Sequence, residues 1–414
     1  MRIVILTIGT RGDVQPFVAL ARGLRAAGHD PLIVAPEVFA EFVRDAGVAF
    51  APFPGDPAAF IQSLVDRGGS RLRLIREVMK FAMPIARDVL SRALAASRGA
   101  DVILASFLLT IGGYQVARQL DVPFISAQLF PTFTPTRAFP MAGMPGGSPL
   151  ANRLSHTIST ALFWHSSRIA YQTLKRQAPE VPRTLANPFG PSLRTIYGFS
   201  RHVLPPPPDW DDRTRVTGYW FLDSPPDYTP PPPLAEFLAA GEPPVYIGFG
   251  SMVTDEAQRL SALVIDALRR TGRRAILLGG WGRFGGDHLP PHILQLDSAP
   301  HDWLFERVAV VVHHGGAGTT GASLRAGKPA LIVPFTADQP FWGNRVAALG
   351  VGLPPIPHRR LTADALSAGI ERLLTDRSMR ERAAALGSAI RAEDGVGEAV
   401  RAIEALVGQS IRRA

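Results

Sequence analysis

Short runs of Val, Ile, Leu and Ala alternate along the chain with longer segments in which apolar residues return every three or four positions. The runs read as strands buried on both faces and the longer segments as helices laid against them. An α/β fold with parallel sheets is the prediction. Strands are expected at 2–8, 31–35, 48–52, 101–105 and 123–127. Helices are expected at 14–27, 37–46, about 70–98 and 110–120, with Gly28 and Gly47 closing the first two. The alternation restarts at Val245-Tyr-Ile-Gly-Phe-Gly250 and continues through strands at 275–278, 293–296, 308–312 and 330–333. Helices near 255–270, 317–327, 340–349 and 362–374 accompany them.

Between these halves the pattern breaks. Residues 130–149 are rich in Pro, Gly, Thr and Phe and read as a long loop, and loops of that length are commonly functional. Proline clusters at 205–208 and 230–233 bound a semi-rigid linker. The resulting organisation is an N-terminal domain at 1–204, a linker at 205–240 and a C-terminal domain at 241–392. Residues 393–414 form a last helix that crosses back to the N-terminal domain. In open sheets ligands bind beyond the carboxyl ends of the strands. The turns after the strands ending near Ile8 and Val312 are therefore the places to look for chemistry.

Composition narrows the class. With 46% hydrophobic and 19% charged residues among 414, the chain is long enough for two ordinary cores. No apolar run reaches the length of a membrane span, and the N-terminus lacks the pattern of a signal peptide. The absence of cysteine removes disulfides and thiolate metal sites, so a cytoplasmic location is expected. The net charge of +9 comes almost wholly from arginine, and no ladder of aromatic and basic residues accompanies it, so nucleic acid is discounted as a partner. Residues 67–87 place Leu72, Ile75, Val78 and Met79 at helical spacing beside Arg71, Arg73, Arg76 and Lys80. Such a stretch can rest weakly on anionic lipid at the inner face of a membrane, although a core-facing helix with a solvated side is the better reading. No protein partner is indicated.

The glycine-rich turn His313-His-Gly-Gly-Ala-Gly-Thr-Thr320 follows a strand and opens a helix, so its backbone N–H groups suit a diphosphate. After the next strand, Asp338 and Gln339 offer hydroxyl-binding groups, and together the two loops suggest a nucleotide-sugar site. The same glycines fit G-x-G-x-x-G. A dinucleotide fold, however, wants an acid at the end of the next strand, where Val333-Pro334 stands. Asp209-Trp-Asp211 has the spacing of a metal-binding D-x-D but follows four prolines, and no histidine or carboxylate cluster has metal-ligand spacing. At the first turn, Gly9-Thr-Arg-Gly-Asp-Val-Gln-Pro16, Asp13 reads equally as a helix cap and as a general base. Pro16 is expected in the first turn of that helix.

In order along the chain, Gly9–Phe17, Tyr197–Ser200, Thr217–Leu222, Tyr246–Met252, Ser298–Trp303, His313–Thr320 and Ala337–Pro340 resemble the family-1 glycosyltransferases of the GT-B fold. That fold consists of two doubly wound Rossmann-like domains facing a central cleft. The likeness spans nearly the whole chain and is greatest to sterol 3β-glucosyltransferases and to bacterial enzymes that glycosylate antibiotics. It implies that His314, Gly316, Ala317, Gly318 and Thr319, with Ser251 and Thr10, bind the donor diphosphate. Ser298, Ala299, Pro300 and His301 would hold the base, and Asp338 and Gln339 the sugar. Where plant members place a catalytic histidine, this chain has Gly12-Asp13, which implies Asp13 as the base. The tryptophan and glutamate those enzymes set around the nucleoside correspond here to Ser298 and Ala322.

The reaction the resemblance implies is an inverting, metal-free transfer of a hexose from UDP-glucose or a related donor, with no other cofactor. The acceptor would be an apolar alcohol such as a sterol, polyketide or polyphenol. Phe130, Phe133, Phe139, Met141 and Met144 are the candidate acceptor walls, against the alternative that this loop packs on its own domain. Competing activities are a nucleotide-sugar epimerase or hydrolase of the same architecture and an NAD-dependent dehydrogenase.

Overall fold

The computed structural model describes residues 1–55, 85–178, 180–250, 257–279 and 289–411. The chain forms two compact units. One comprises Met1–Arg201, Pro205–Leu222 and Asp394–Ala414, and the other His202–Leu204 and Asp223–Glu393.

In the first unit β1 (Arg2–Leu6), β2 (Asp30–Pro36), β3 (Ala49–Phe53), β4 (Val102–Ala105), β5 (Phe124–Gln128), β6 (Thr195–Tyr197) and β7 (Thr214–Val216) form one sheet in the order β3-β2-β1-β4-β5-β6-β7. All the pairings are parallel, so helices must return the chain between strands. The direction of winding reverses between β1 and β4, which makes the carboxyl end of β1 a topological switch point. The first helix, Arg11–Ala26, buries Val14, Phe17, Val18, Leu20 and Leu24 on this sheet, each removing about 1.5 to 3 kcal/mol of apolar surface cost. The last helix, Gly395–Ile411, joins the same core through Ala399, Ile403 and Leu406. The two helices approach so closely that a Cβ at Gly23 would overlap Val396.

The second unit has β8 (Val245–Gly248), β9 (Ala275–Leu278), β10 (Ile293–Leu296), β11 (Val310–His313) and β12 (Ala330–Ile332) in the order β10-β9-β8-β11-β12, again all parallel. Here the switch point lies between β8 and β11. His313, the last residue of β11, is in register with Gly248 on one side and Ile332 on the other. The loops after three neighbouring strands therefore leave the sheet together.

Three elements depart from expectation. The largest is a helix of 29 residues, Pro149–Gln177, where no helix was expected, opened by Ser148, whose hydroxyl accepts from the Ala151 N–H. β6 and β7 are three-residue strands that carry too few positions for a period to show. Since β7 falls between the proline clusters and joins the first unit's sheet, residues 205–240 are not all linker. Pro16 is the sixth residue of the first helix rather than part of its first turn, so the bond it lacks is to the carbonyl of Gly12. Of the helix expected at about 70–98, residues 85–96 are helical; 70–84, and with them most of the basic stretch at 67–87, lie outside the described residues.

Candidate donor site and candidate base

The turn after β11 is built by its own glycines and histidines. Gly315 has φ of 93°, a conformation that glycine adopts without cost. Its N–H donates to Nδ1 of the fully buried His313 at 3.1 Å, which fixes the turn from beneath. The His314 ring lies between two glycines: a Cβ at Gly250 would come within 3.0 Å of it, and one at Gly316 within 2.6 Å. Helix Ala317–Arg325 then begins with Gly316 as N-cap and with no side-chain capping bond. Its first N–H groups and the positive end of its dipole are left for an outside anion, and Gly318 is exposed beside them.

Burial pushes the His314 imidazole down to about 4, against the Gly248 carbonyl, which favours the protonated form. His313 is held well below the ordinary histidine value by burial and by its neighbours His314 and His301. At neutral pH the turn therefore offers N–H dipoles rather than imidazolium charge.

The loop after β12 meets this turn directly, since a Cβ on Gly315 would touch the backbone of Gln339. Asp338 caps helix Gln339–Ala348, and its Oδ2 accepts from the indole of the buried Trp342 at 2.9 Å. Gln339 is only 6% exposed, and its side-chain oxygen accepts from the N–H groups of Phe335 and Thr336 at 2.7 and 3.1 Å. Its carbonyl thus shapes the loop, and Asp338, partly exposed, is the more open of the two groups.

On the other side of the sheet centre, Ser298 is exposed after β10, and Ala299 and Pro300 lead into helix His301–Phe305. The His301 ring stacks on Phe305 at 4.5 Å, with Nε2 3.1 Å from the hydroxyl of Tyr246. Ala322 packs in the same apolar cluster as Leu304 and Phe305. Ser251 lies outside the described residues.

In the first unit, the turn after β1 is closed on itself. Thr10 is the N-cap of the first helix and Asp13 its third residue, which corrects the reading of Asp13 as the N-cap. Asp13 Oδ2 accepts from the Thr10 N–H at 2.7 Å and from the Thr10 hydroxyl at 3.0 Å. Both bonds fall on the same oxygen, Oδ2. The Thr7 hydroxyl holds the Asp13 carbonyl at 2.9 Å. Gly9, with φ of 137°, lies under the carboxylate, and a Cβ there would overlap it. Burial raises the Asp13 carboxyl above the usual aspartate range, against the Thr10 bonds, which favour the anion.

The candidate acceptor loop is pinned to its own unit. Asp209 accepts from the Thr136 hydroxyl at 2.7 Å and the Arg137 N–H at 2.9 Å, while Asp211 pairs with Arg213 at 2.8 Å. The D-x-D residues are thus part of the scaffold. Phe133 and Met141 are buried, Phe130 and Phe139 partly so, and Met144 is exposed. Phe107, Phe130, Phe133, Phe163 and Phe189 form one stack of rings with centroids 4.6 to 6.1 Å apart. Phe107 and Phe163 were not apparent from sequence, because nothing local to either marks it as a neighbour of residues 130–139.

Comparison with known proteins agrees with this architecture. Residues 3–140 match the glycosyltransferase family 28 N-terminal domain, and residues 278–406 match the C-terminal domain of erythromycin biosynthesis protein CIII-like proteins. The chain is 39% identical over 423 residues to a sterol 3-beta-glucosyltransferase of Emericella nidulans and 38% identical over 421 to one of Neosartorya fischeri. These alignments cover 97% of this chain but only 30% and 29% of those much longer fungal proteins. Among solved structures, the kitacinnamycin glycosyltransferase superposes with a TM-score of 0.73 at 20% identity, covering 98% of this chain and 99% of that one. Glycosyltransferase VinC, solved in complex with DTDP, gives 0.66 at 19%, covering 99% and 100%. With two parallel-sheet α/β units and these superpositions along its length, the chain has the GT-B fold, and its two halves resemble a glycosyltransferase family 28 N-terminal domain and an erythromycin biosynthesis protein CIII-like C-terminal domain.

Proposed function

We propose that the chain transfers a hexose, with glucose as first candidate, from a UDP-sugar to a hydroxyl of an apolar acceptor, and that a sterol is the acceptor to test first. The observation that carries this is the contrast between two strand-to-helix turns. The turn after β1 already holds an anion of its own, Asp13, on the Thr10 N–H. The turn after β11 leaves its helix end uncapped beside a neutral His314 and the Asp338 loop. A diphosphate fits the second turn, and a proton acceptor stands at the first. Sterol glucosyltransferases among the relatives and DTDP bound to VinC support this reading.

In the mechanism, the acceptor oxygen attacks the anomeric carbon from the face opposite the diphosphate, so the configuration inverts. Asp13 takes the hydroxyl proton as that bond forms; its raised pKa strengthens it as a base. The C–O bond to the diphosphate breaks, and the charge left on phosphate is met by the amides of Gly316 to Thr319, the helix end and the His314 ring. Charge stabilisation of this kind needs no metal ion. Asp338 holds sugar hydroxyls, and Gln339 positions the loop that presents it. Thr10, whose N–H and hydroxyl are given to Asp13, acts on the base rather than on phosphate.

Incubation with UDP-glucose and a mixed panel of sterol and polyphenol alcohols tests the proposal. A hexose adduct seen by mass spectrometry is the expected result. Donor hydrolysis or epimerisation with no adduct, or NAD binding with no response to UDP, would overturn it.

A further inference from the structure

The first half of helix Pro149–Gln177 carries its polarity inside out. On its inward face lie Asn152, Ser155, His156 and Thr160, all buried. Three of them are bonded to the 137–141 loop: Asn152 to the Arg137 carbonyl, Ser155 to the Met141 N–H and His156 to the Phe139 carbonyl. On the outward face Leu150, Leu154, Ile158, Leu162 and Ile169 are 63, 47, 51, 66 and 64% exposed. Four-residue spacing puts the first four along one side of the helix over about 18 Å, and Ile169, two turns further on, extends that side to about 28 Å. Met144, just before the helix, is 42% exposed as well. Single exposed leucines are ordinary, but a continuous row is not, and such rows mark surfaces that meet something.

Charge decides what it meets. From Val122 to Pro179 the sequence has no Asp or Glu, while Arg137, Arg153, Arg168, Lys175 and Arg176 are basic and outnumber Asp209, the carboxylate bonded to Thr136 and to the Arg137 N–H beside them. Against a second copy of a chain with net charge +9, this face would bring like charges together. An anionic lipid surface complements both the stripe and its basic margin. No helix among the described residues is long and apolar enough to cross a membrane. We infer that the outward face of Pro149–Gln177 is a docking surface for an anionic bilayer, with the helix lying along the headgroups and the apolar row inserted among the acyl chains. This rests on the surface alone and holds whatever the chain transfers.

Co-sedimentation of the full chain with vesicles tests it without any sugar transfer. Binding to phosphatidylcholine vesicles containing phosphatidylglycerol at low salt is expected, with much less binding to phosphatidylcholine alone. A Leu154→Gln, Ile158→Gln, Leu162→Gln triple variant should keep the parent's circular dichroism and Tm and bind about tenfold or more weakly. Replacing Arg153, Arg168, Lys175 and Arg176 by Gln should abolish the preference for anionic vesicles. Equal sedimentation of the parent and the triple variant would overturn the inference. So would a parent dimer, seen by light scattering, that the triple variant splits while neither binds vesicles.

Discussion

The turn after β1 and the turn after β11 use the same framework for opposite ends. Each leaves a central parallel strand at a switch point, passes through a glycine with positive φ and enters a helix. At the first, an aspartate three residues into the helix folds back onto the N-cap and uses its donors. At the second, the N-cap is glycine, the neighbouring side chain is a neutral histidine packed between two more glycines, and the donors stay open. Burial shifts both titrating groups toward their uncharged forms, the carboxyl upward and the imidazole downward. A helix N-terminus is thus an anion site only if the chain has not already supplied the anion.

Breaking the first turn should have the largest effect. Asp13→Asn preserves shape and can still accept from Thr10, yet it removes the base, so kcat should fall by about 10²- to 10⁴-fold. Because the raised carboxyl costs stability once ionised, Tm at neutral pH should stay level or rise, which a thermal melt compares directly.

The second turn sets an acid limit. A histidine whose folded pKa lies below its unfolded value contributes no penalty above pH 6.5, and stability falls as pH drops from 6.5 toward 4 while the unfolded chain takes up the proton. For His314 the loss approaches about 3 kcal/mol near the bottom of that window. Urea melts at pH 7, 5.5 and 4.5 on the parent and on His314→Asn should show the steeper decline in the parent. The smallest effect belongs to the loop beside this turn. Gln339→Leu removes two bonds worth about 1 kcal/mol each, so KM for the sugar donor should rise several-fold while UDP affinity is held.

Much of this contrast was legible in the chain. Strand composition and the glycine turns located both switch points, because a fully buried parallel strand is nearly uniform in sequence and its end is abrupt. Asp13 stood out for its place in the turn, but whether it or Thr10 is the cap depends on φ and ψ, which the sequence does not carry. Gln339 and Asp338 looked alike as adjacent polar residues, and only the fold separates the buried one, bonded to its own loop, from the partly exposed one, bonded to Trp342. Helix Pro149–Gln177 escaped notice for a different reason. Over its first three turns the inward residues are polar and the outward ones include an apolar row, while Tyr171 and Leu174 turn inward later, so the ordinary rule for reading a helix finds no single phase. The ring stack around Phe133 joins residues from 107 to 189 and has no local signature.

Isothermal titration with UDP of the parent, Asp13→Asn and Gly316→Val tests the division of labour most directly. A side chain at Gly316 must collide with the His314 ring, whose Nε2 would lie 2.6 Å from the new Cβ. Asp13→Asn should bind UDP as the parent does, and Gly316→Val should lose measurable binding while remaining folded. Loss of UDP binding in Asp13→Asn, or parent-like binding in Gly316→Val, would contradict it.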